Sequence, residues 1–386
     1  LAPIYLYDAV RSPRGKARAD GGLAALSPQQ LVREQADALA ARCGEAARTP
    51  DALILGCVTQ TGAQGGHVAL LSKLHAELPD SVAALTLNNY CASGLSAIGQ
   101  AVGRVASGDA AAVLAGGVEM MSAVPFLSDR AGFYDNDELP PARRFVPPVL
   151  AADRLAHREG ISRAELDAVA LSSQQKAAAS DADAALQSSR IAAGALHGEE
   201  CLRPRTSAES LAAMPAAFGE LQAQYAAALD GEDFVPLHSL AHAPPICDGA
   251  GLALIGGEGL GPAPRARILA FAESGGDPAA SLTAGFAAMD KALERAGLRL
   301  SDMDAVEFME AFAVTIAKFL RDRDVDPTRV NISGGHLAKG HPMGASGAIL
   351  TSTLLDTLDA RAGGYGLVVL TGAMGVGAAM IVERLG

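Results

Sequence analysis

Asn89-Tyr90-Cys91-Ala92-Ser93-Gly94-Leu95-Ser96-Ala97 and, far downstream, Gly340-His341-Pro342-Met343-Gly344-Ala345-Ser346-Gly347 are the two stretches on which the reading of this chain turns. Each passes from a β-rich segment through small residues into an apolar helical run, so each holds one reactive side chain at a helix start. A thiol in that place feels the positive end of the helix dipole, which favours thiolate. The pair suggests a nucleophile, Cys91, and its imidazole partner, His341. The remaining cysteines, Cys43, Cys57, Cys201 and Cys247, read as buried packing.

Working outward, the two turns sit in an internal repeat. Asp51-Ala52-Leu53-Ile54-Leu55-Gly56 precedes the Cys91 turn, a helix, and the strand Ala111-Ala112-Val113-Leu114-Ala115-Gly116-Gly117. Asp304-Ala305-Val306-Glu307-Phe308 precedes the His341 turn, a helix, and Gly366-Leu367-Val368-Val369-Leu370-Thr371-Gly372. Short apolar strands alternating with helical segments predict stacked βαβ units and a largely parallel sheet. Two such halves packed together would bring their equivalent turns to one interface.

The stretch between the halves, 123–247, changes character. Pro125 to Pro148 is polar and Pro-marked, with an acidic centre at Asp135-Asn136-Asp137-Glu138, and reads as an excursion outside the core. A helix follows from Ala151, carrying Arg154, Leu155 and His157. Ser162 with Glu165 forms a capping-box signal before a further apolar helix, and a second, Ala-rich helix is expected through Gln174 to Ala184.

At 386 residues, with nearly half of them apolar and no tryptophan, the chain is long enough for two or more packed α/β units. A net charge of −12 without a basic run argues against a nucleic-acid partner. Arg203-Pro204-Arg205 is the one candidate patch for an anionic ligand, against the plainer reading of a solvated loop. Five cysteines without paired spacing exclude a disulfide scaffold and a zinc site, and point to a reducing compartment. No stretch approaches the roughly 20 apolar residues that cross a bilayer. The strand-like Ile4-Tyr5-Leu6-Tyr7 at the start and Glu383-Arg384-Leu385-Gly386 at the end carry no address signal, so a soluble cytoplasmic protein with no membrane partner is expected.

The two turns, together with Arg11-Ser12-Pro13-Arg14-Gly15-Lys16 and Gly116-Gly117-Val118-Glu119-Met120-Met121-Ser122, resemble the thiolase family along nearly the whole chain. The resemblance implies an α/β fold of five layers, αβαβα, with two similar βαβαβαββ halves and an inserted loop domain that covers the active site and contacts coenzyme A. The divisions it implies are 1–122 with 248–258, 123–247, and 259–386. It also implies acyl transfer from coenzyme A thioesters, as substrates and not bound cofactors, no metal, and a homodimer or homotetramer. Cys91 would hold the acyl group, His341 would deprotonate it, and the main-chain N–H groups of Cys91 and Ala373 would cradle the oxyanion.

The chain departs from that pattern on the enolate half of the reaction. Where thiolases carry a second reactive cysteine, it has Thr371, or Val369 in a shifted register, and a hydroxyl is a far poorer base than a thiol. Met309 in Met309-Glu310-Ala311-Phe312 stands where the family has an asparagine that anchors a water, and a thioether is a weak acceptor. His336, close in sequence to His341, is an extra titratable group that either compensates or is structural. Phe312 and Ala243 are expected walls of the acyl or pantetheine site, beside a strand entry stiffened by Pro244 and Pro245. Two alternatives therefore stand beside acyl-CoA condensation or thiolysis: hydrolysis or transfer to a non-carbon acceptor, and a non-catalytic partner role.

Overall fold

In the computed structural model, residues 2–135 and 137–386 are described. Leu1 and Asn136, the latter in the acidic excursion, lie outside them. Strands β1 (Ile4–Arg11), β2 (Gly15–Lys16), β3 (Ala52–Gly56), β4 (Ala83–Leu87) and β5 (Ala112–Met120) alternate with helices α1 (Pro28–Cys43), α2 (Val68–His75) and α3 (Ser93–Ser107). Between β5 and β6 (Cys247–Gly256) the described residues add no strand to the sheet, but do add α4 (Pro148–Glu159) and α5 (Arg163–Ser180). The rest comprises β7 (Ala266–Gly275), α6 (Ala284–Ala296), β8 (Ala305–Phe308), α7 (Ala313–Asp322), α8 (His336–Lys339), α9 (Ser346–Arg361), β9 (Tyr365–Thr371) and β10 (Val376–Arg384).

The strands run β4-β3-β5-β6-β1-β7-β10-β9-β8, and β2 pairs with β6. Two groups meet at a short antiparallel junction, Ile4 to Leu6 against Ala266 to Ile268. Helices α3 and α9 pack on each other between the groups, while α1 and α2 cover the outside of one and α6 the outside of the other. This is the five-layer α/β arrangement. The expected largely parallel sheet is corrected: among the described residues, only the strand pairs β3–β4, β3–β5 and β8–β9 are parallel. Those pairs are joined through helices, which carry the chain back to the same end. The β9–β10 pair turns over in the short Gly372–Gly375 loop and is antiparallel.

The repeat is visible in detail. Asp51 accepts from the N–H groups of Ala111 and Ala112 at the start of β5, and Asp304 does the same for Gly364 and Tyr365 at the start of β9. Among the described residues the second half has no strand equivalent to β4, and an isolated parallel bridge between Val306 and Val330 stands in its place. The Ser162–Glu165 capping box forms as expected. The two helices expected after it are one, α5, which stops at Ser180 and buries Gln174 and Ala177.

Candidate active site

The two equivalent turns meet because glycine lets the backbones touch. A Cβ on Gly94 would lie 2.7 Å from Gly344 O, and one on Gly347 would lie 2.2 Å from Leu95 N. Either is closer than real Cβ contacts come, so side chains at these points would force the turns apart. Cys91 and His341 consequently line one cavity.

Cys91 sits immediately before α3, after Tyr90, whose φ of +46° is left-handed and uncommon outside glycine. Local bonds hold that conformation: Asn88 Oδ1 accepts from Tyr90 N, and Ser93 Oγ donates to Tyr90 O at 2.6 Å. The thiol retains partial exposure to the cavity. Burial nevertheless pushes it up to about 12; the N–H of Ala373 lowers it, nearby Glu119 adds to the rise, and the N–H of Cys91 lowers it again. The expected helix-dipole thiolate is therefore corrected, because loss of water outweighs the dipole and the resting sulfur is a thiol. The N–H groups of Cys91 and Ala373, the expected oxyanion donors, both act to lower that thiol.

His341 is anchored by its own N–H, which donates to Pro245 O at 2.9 Å, and by Nδ1, 2.7 Å from Ser346 Oγ. Nε2 is buried without a partner. A base at Nε2 requires the proton on Nδ1, where Ser346 Oγ accepts it, and the tautomer is assigned from that bond. Burial first, then the Arg14 guanidinium, lowers the imidazole to about 3, so it is neutral near pH 7. A thiol and a neutral imidazole thus line one cavity as an uncharged pair.

Other expected site residues separate into those that reach the cavity and those that do not. Phe312 lines it and Ala373 lines the narrower recess behind Cys91. Ala243 is packed against the core, and its neighbours Pro244 and Ile246 form the wall instead. Thr371 is fully buried with Oγ1 3.4 Å from Gly285 N, turned toward the start of α6. Met309 is fully buried in the main core, and its backbone N–H donates to Val369 O while its carbonyl accepts from Ala311 N. His336 is fully buried, with neither ring nitrogen bonded, beneath His341. Burial and then His341 hold His336 well below its ordinary value, so it is a neutral ring out of reach of the cavity. Arg203 and Arg205 are exposed and line a separate open groove with Ser210 and Met214.

Sequence reasoning assigned no role to Ser346, nor to Glu119, although both stood in the quoted motifs. Glu119 is fully buried at the end of β5 and accepts from Val58 N, Thr59 N, Gln64 Nε2 and Gly344 N. It ties the first half to the His341 turn, a contact between distant segments that no local pattern reveals. Burial raises its carboxyl and the three N–H groups work against that rise. Among the described residues, no group of three or more His, Cys, Asp or Glu is placed to hold a metal ion.

Residues 4–228 match the thiolase N-terminal domain and residues 262–384 the thiolase C-terminal domain. The chain belongs to the thiolase family. Its members are acyltransferases, and this chain is an enzyme of that class. It is 34% identical to the beta-ketoadipyl-CoA thiolase of Pseudomonas putida, and the match covers all of both chains. It is 32% identical to the 3-ketoacyl-CoA thiolase FadA of Escherichia coli, again over the full length of both. Among solved structures, human mitochondrial 3-ketoacyl-CoA thiolase superposes with a TM-score of 0.85 at 29% identity, covering 100% of this chain and 99% of that one. No helix among the described residues is long and apolar enough to cross a membrane.

Proposed function

We propose that this thiolase accepts an acyl group from a coenzyme A thioester onto Cys91. As the sulfur attacks the thioester carbonyl, its proton passes to His341 Nε2; the carbonyl oxygen, charged in the intermediate, turns to the N–H groups of Cys91 and Ala373. Collapse expels coenzyme A as a thiolate, which takes the proton back from His341. The observation that carries this reading is the shared cavity of Cys91 and His341; the N–H groups of Cys91 and Ala373, which act to lower the Cys91 thiol, support it.

The acyl group is apolar and short. The cavity holds about 150 Å³, walled by Met121, Phe126, Val149, Leu282 and Phe312 among others, with no Lys or Arg in its lining. A dry cavity of roughly that volume takes a benzene-sized group. An acyl chain ending in a second carboxylate, as the adipyl name of the Pseudomonas relative denotes, would find no cation there and would be left unpaired. Arg203 and Arg205, which make no ion pair among the described residues, are candidates for the phosphates of coenzyme A.

A second reading is favoured by the burial of Thr371 and Met309 outside the lining of the cavity. With the enolate half undeveloped, the acyl group passes to water or a non-carbon acceptor instead of to a second thioester. The loop domain is assigned to 123–247, between an N-terminal half of 1–122 with 248–258 and a C-terminal half of 259–386. A homodimer would form at β4, a half-exposed strand at the end of the sheet, beside Leu70, Leu71 and Leu74 of α2, which are 40%, 42% and 57% exposed. A cytoplasmic location belongs to the same proposal.

Intact-protein mass spectrometry after mixing with butyryl-, hexanoyl- and adipyl-CoA tests it. Adducts on Cys91 from the first two and none from the third are expected. Decay that needs added acetyl-CoA indicates condensation, and decay without it the second reading. No adduct from any thioester overturns both readings.

A further inference from the structure

Behind the active-site turn lies a pair of cysteines that the acyl-transfer chemistry does not use. A Cβ placed on Gly340 would stand 2.7 Å from Cys247 Sγ and 3.3 Å from Cys201 Sγ. Both sulfurs thus occupy the space that a side chain at Gly340 would need, and both are free thiols. Each thiol also feels the other, which lowers Cys201 and raises Cys247. Gly340 is the residue before His341 and holds a φ of +99°. Cys247 follows Ile246, which bridges to His341, and Pro245, whose carbonyl holds the His341 N–H.

The surroundings suit thiol chemistry. Arg14 is buried, pairs with Glu199 two residues before Cys201, and reaches Gly340 O at 3.4 Å. Its guanidinium lowers both thiols. Cys201 is 3% exposed and Cys247 not at all, but beyond Cys201 the chain surfaces at once through half-buried Leu202 to exposed Arg203. Cys201 is therefore the sulfur an oxidant meets first.

We propose that Cys201 and Cys247 are a redox modification site: a reversible disulfide between them closes against Gly340 and shifts His341 from its place beside Cys91. With a peroxide as oxidant, the Cys201 thiolate takes one oxygen to become a sulfenic acid, and the peroxide's other oxygen leaves as water. The Cys247 sulfur then attacks the sulfenyl sulfur, releasing a second water and leaving the S–S bond. Two thiols lose two electrons and two protons, and the peroxide gains them. Closing the sulfurs to about 2 Å pulls on the segments that flank Gly340 and His341, which have no slack among the contacts above. The disulfide stands independently of the acyl-transfer reading, whereas its effect on activity rests on His341 being the base.

The test exposes wild type, Cys91→Ala, Cys201→Ala and Cys247→Ala to hydrogen peroxide. Peptide mapping without reductant reads the cross-link, and acyl-enzyme formation reads the consequence. A Cys201–Cys247 peptide pair, two hydrogens lighter, is expected in wild type and Cys91→Ala and in neither pair variant. In wild type, acylation should fall by at least about tenfold, the scale for a base displaced by part of an ångström, and return with dithiothreitol. Cys201→Ala should start at the wild-type rate and keep it through the same treatment. Absence of the cross-link in Cys91→Ala overturns the site. A cross-link that leaves acylation unchanged, or equal inactivation of Cys201→Ala, overturns the regulation while the disulfide readout stays separate from the acyl-transfer reading.

Discussion

His336 lies edge-on against His341, ring centroids 5.0 Å apart and planes at 87°, with no hydrogen bond to either of its nitrogens. The lower ring fills space under the base and helps to exclude water, but it has no path to the substrate cavity. His341→Ala should slow acyl-enzyme formation by about 10²-fold or more, the scale for losing a general base. His336→Leu, of similar volume and apolar, should leave the rate within a few-fold. Rapid-quench mass spectrometry decides; the reverse ranking would mean that the base is His336.

Cys91 is the most accessible of the five cysteines, since Cys43, Cys57, Cys201 and Cys247 are all 6% exposed or less. Iodoacetamide should label it first, and a bound acyl group should protect it. Because burial holds the thiol up to about 12, the labelling rate should keep climbing from pH 7 to pH 10. A plateau near neutrality would reveal a resting thiolate–imidazolium pair and contradict the uncharged pair described above.

How far the chain could be read before folding is clear from particular residues. Cys91 and His341 were legible because each stands in a glycine-marked turn whose neighbours have few other uses, and the Asp51 and Asp304 repeat announced that these turns are equivalent. The parallel sheet was overread, since strand and helix alternation says nothing of a chain that returns after a long insertion, as β6 does after β5. Thr371 and Met309 were placed by position within a motif. Which way a side chain points depends on packing across the sheet, here against Gly285 and the main core, and that is set by segments remote in sequence.

The buried imidazole of His341 makes stability depend on pH with a definite sign. Its folded value is about 3 against an ordinary 6.5, so between those limits the unfolded chain binds the proton and the folded chain does not. Stability from this group is whole above pH 6.5 and is lost as pH falls toward 3, by about 1.4 kcal/mol per pH unit in mid-window. His341→Asn removes the titration. Urea unfolding of the two proteins between pH 4.5 and 6 should therefore give slopes of stability against pH that differ by about that amount, wild type being steeper. Equal slopes would mean that His341 is protonated in the folded protein.

The enolate half of the reaction carries the sharpest test. Among the residues that line the cavity, only Cys91 and His341 have titratable side chains, so an acyl group on Cys91 leaves His341 as the sole base near a second thioester. Exchange of the α-protons of acetyl-CoA with deuterated water should accordingly be slow in wild type and be abolished by His341→Ala. Thr371→Val should change nothing, because that hydroxyl faces Gly285 N. Thr371→Cys with Met309→Asn, which installs the two residues that the family resemblance implies at those positions, should bring little exchange, since a thiol at 371 starts from a fully buried position where the present hydroxyl faces Gly285 N. The Asn amide in the apolar core should also cost about 1–3 kcal/mol of stability. Nuclear magnetic resonance of acetyl-CoA in deuterated water follows the exchange directly. Fast exchange in the double variant would show that the loop from Thr371 to Gly375 swings its first residue into the cavity, and that the enolate site is dormant and not dismantled.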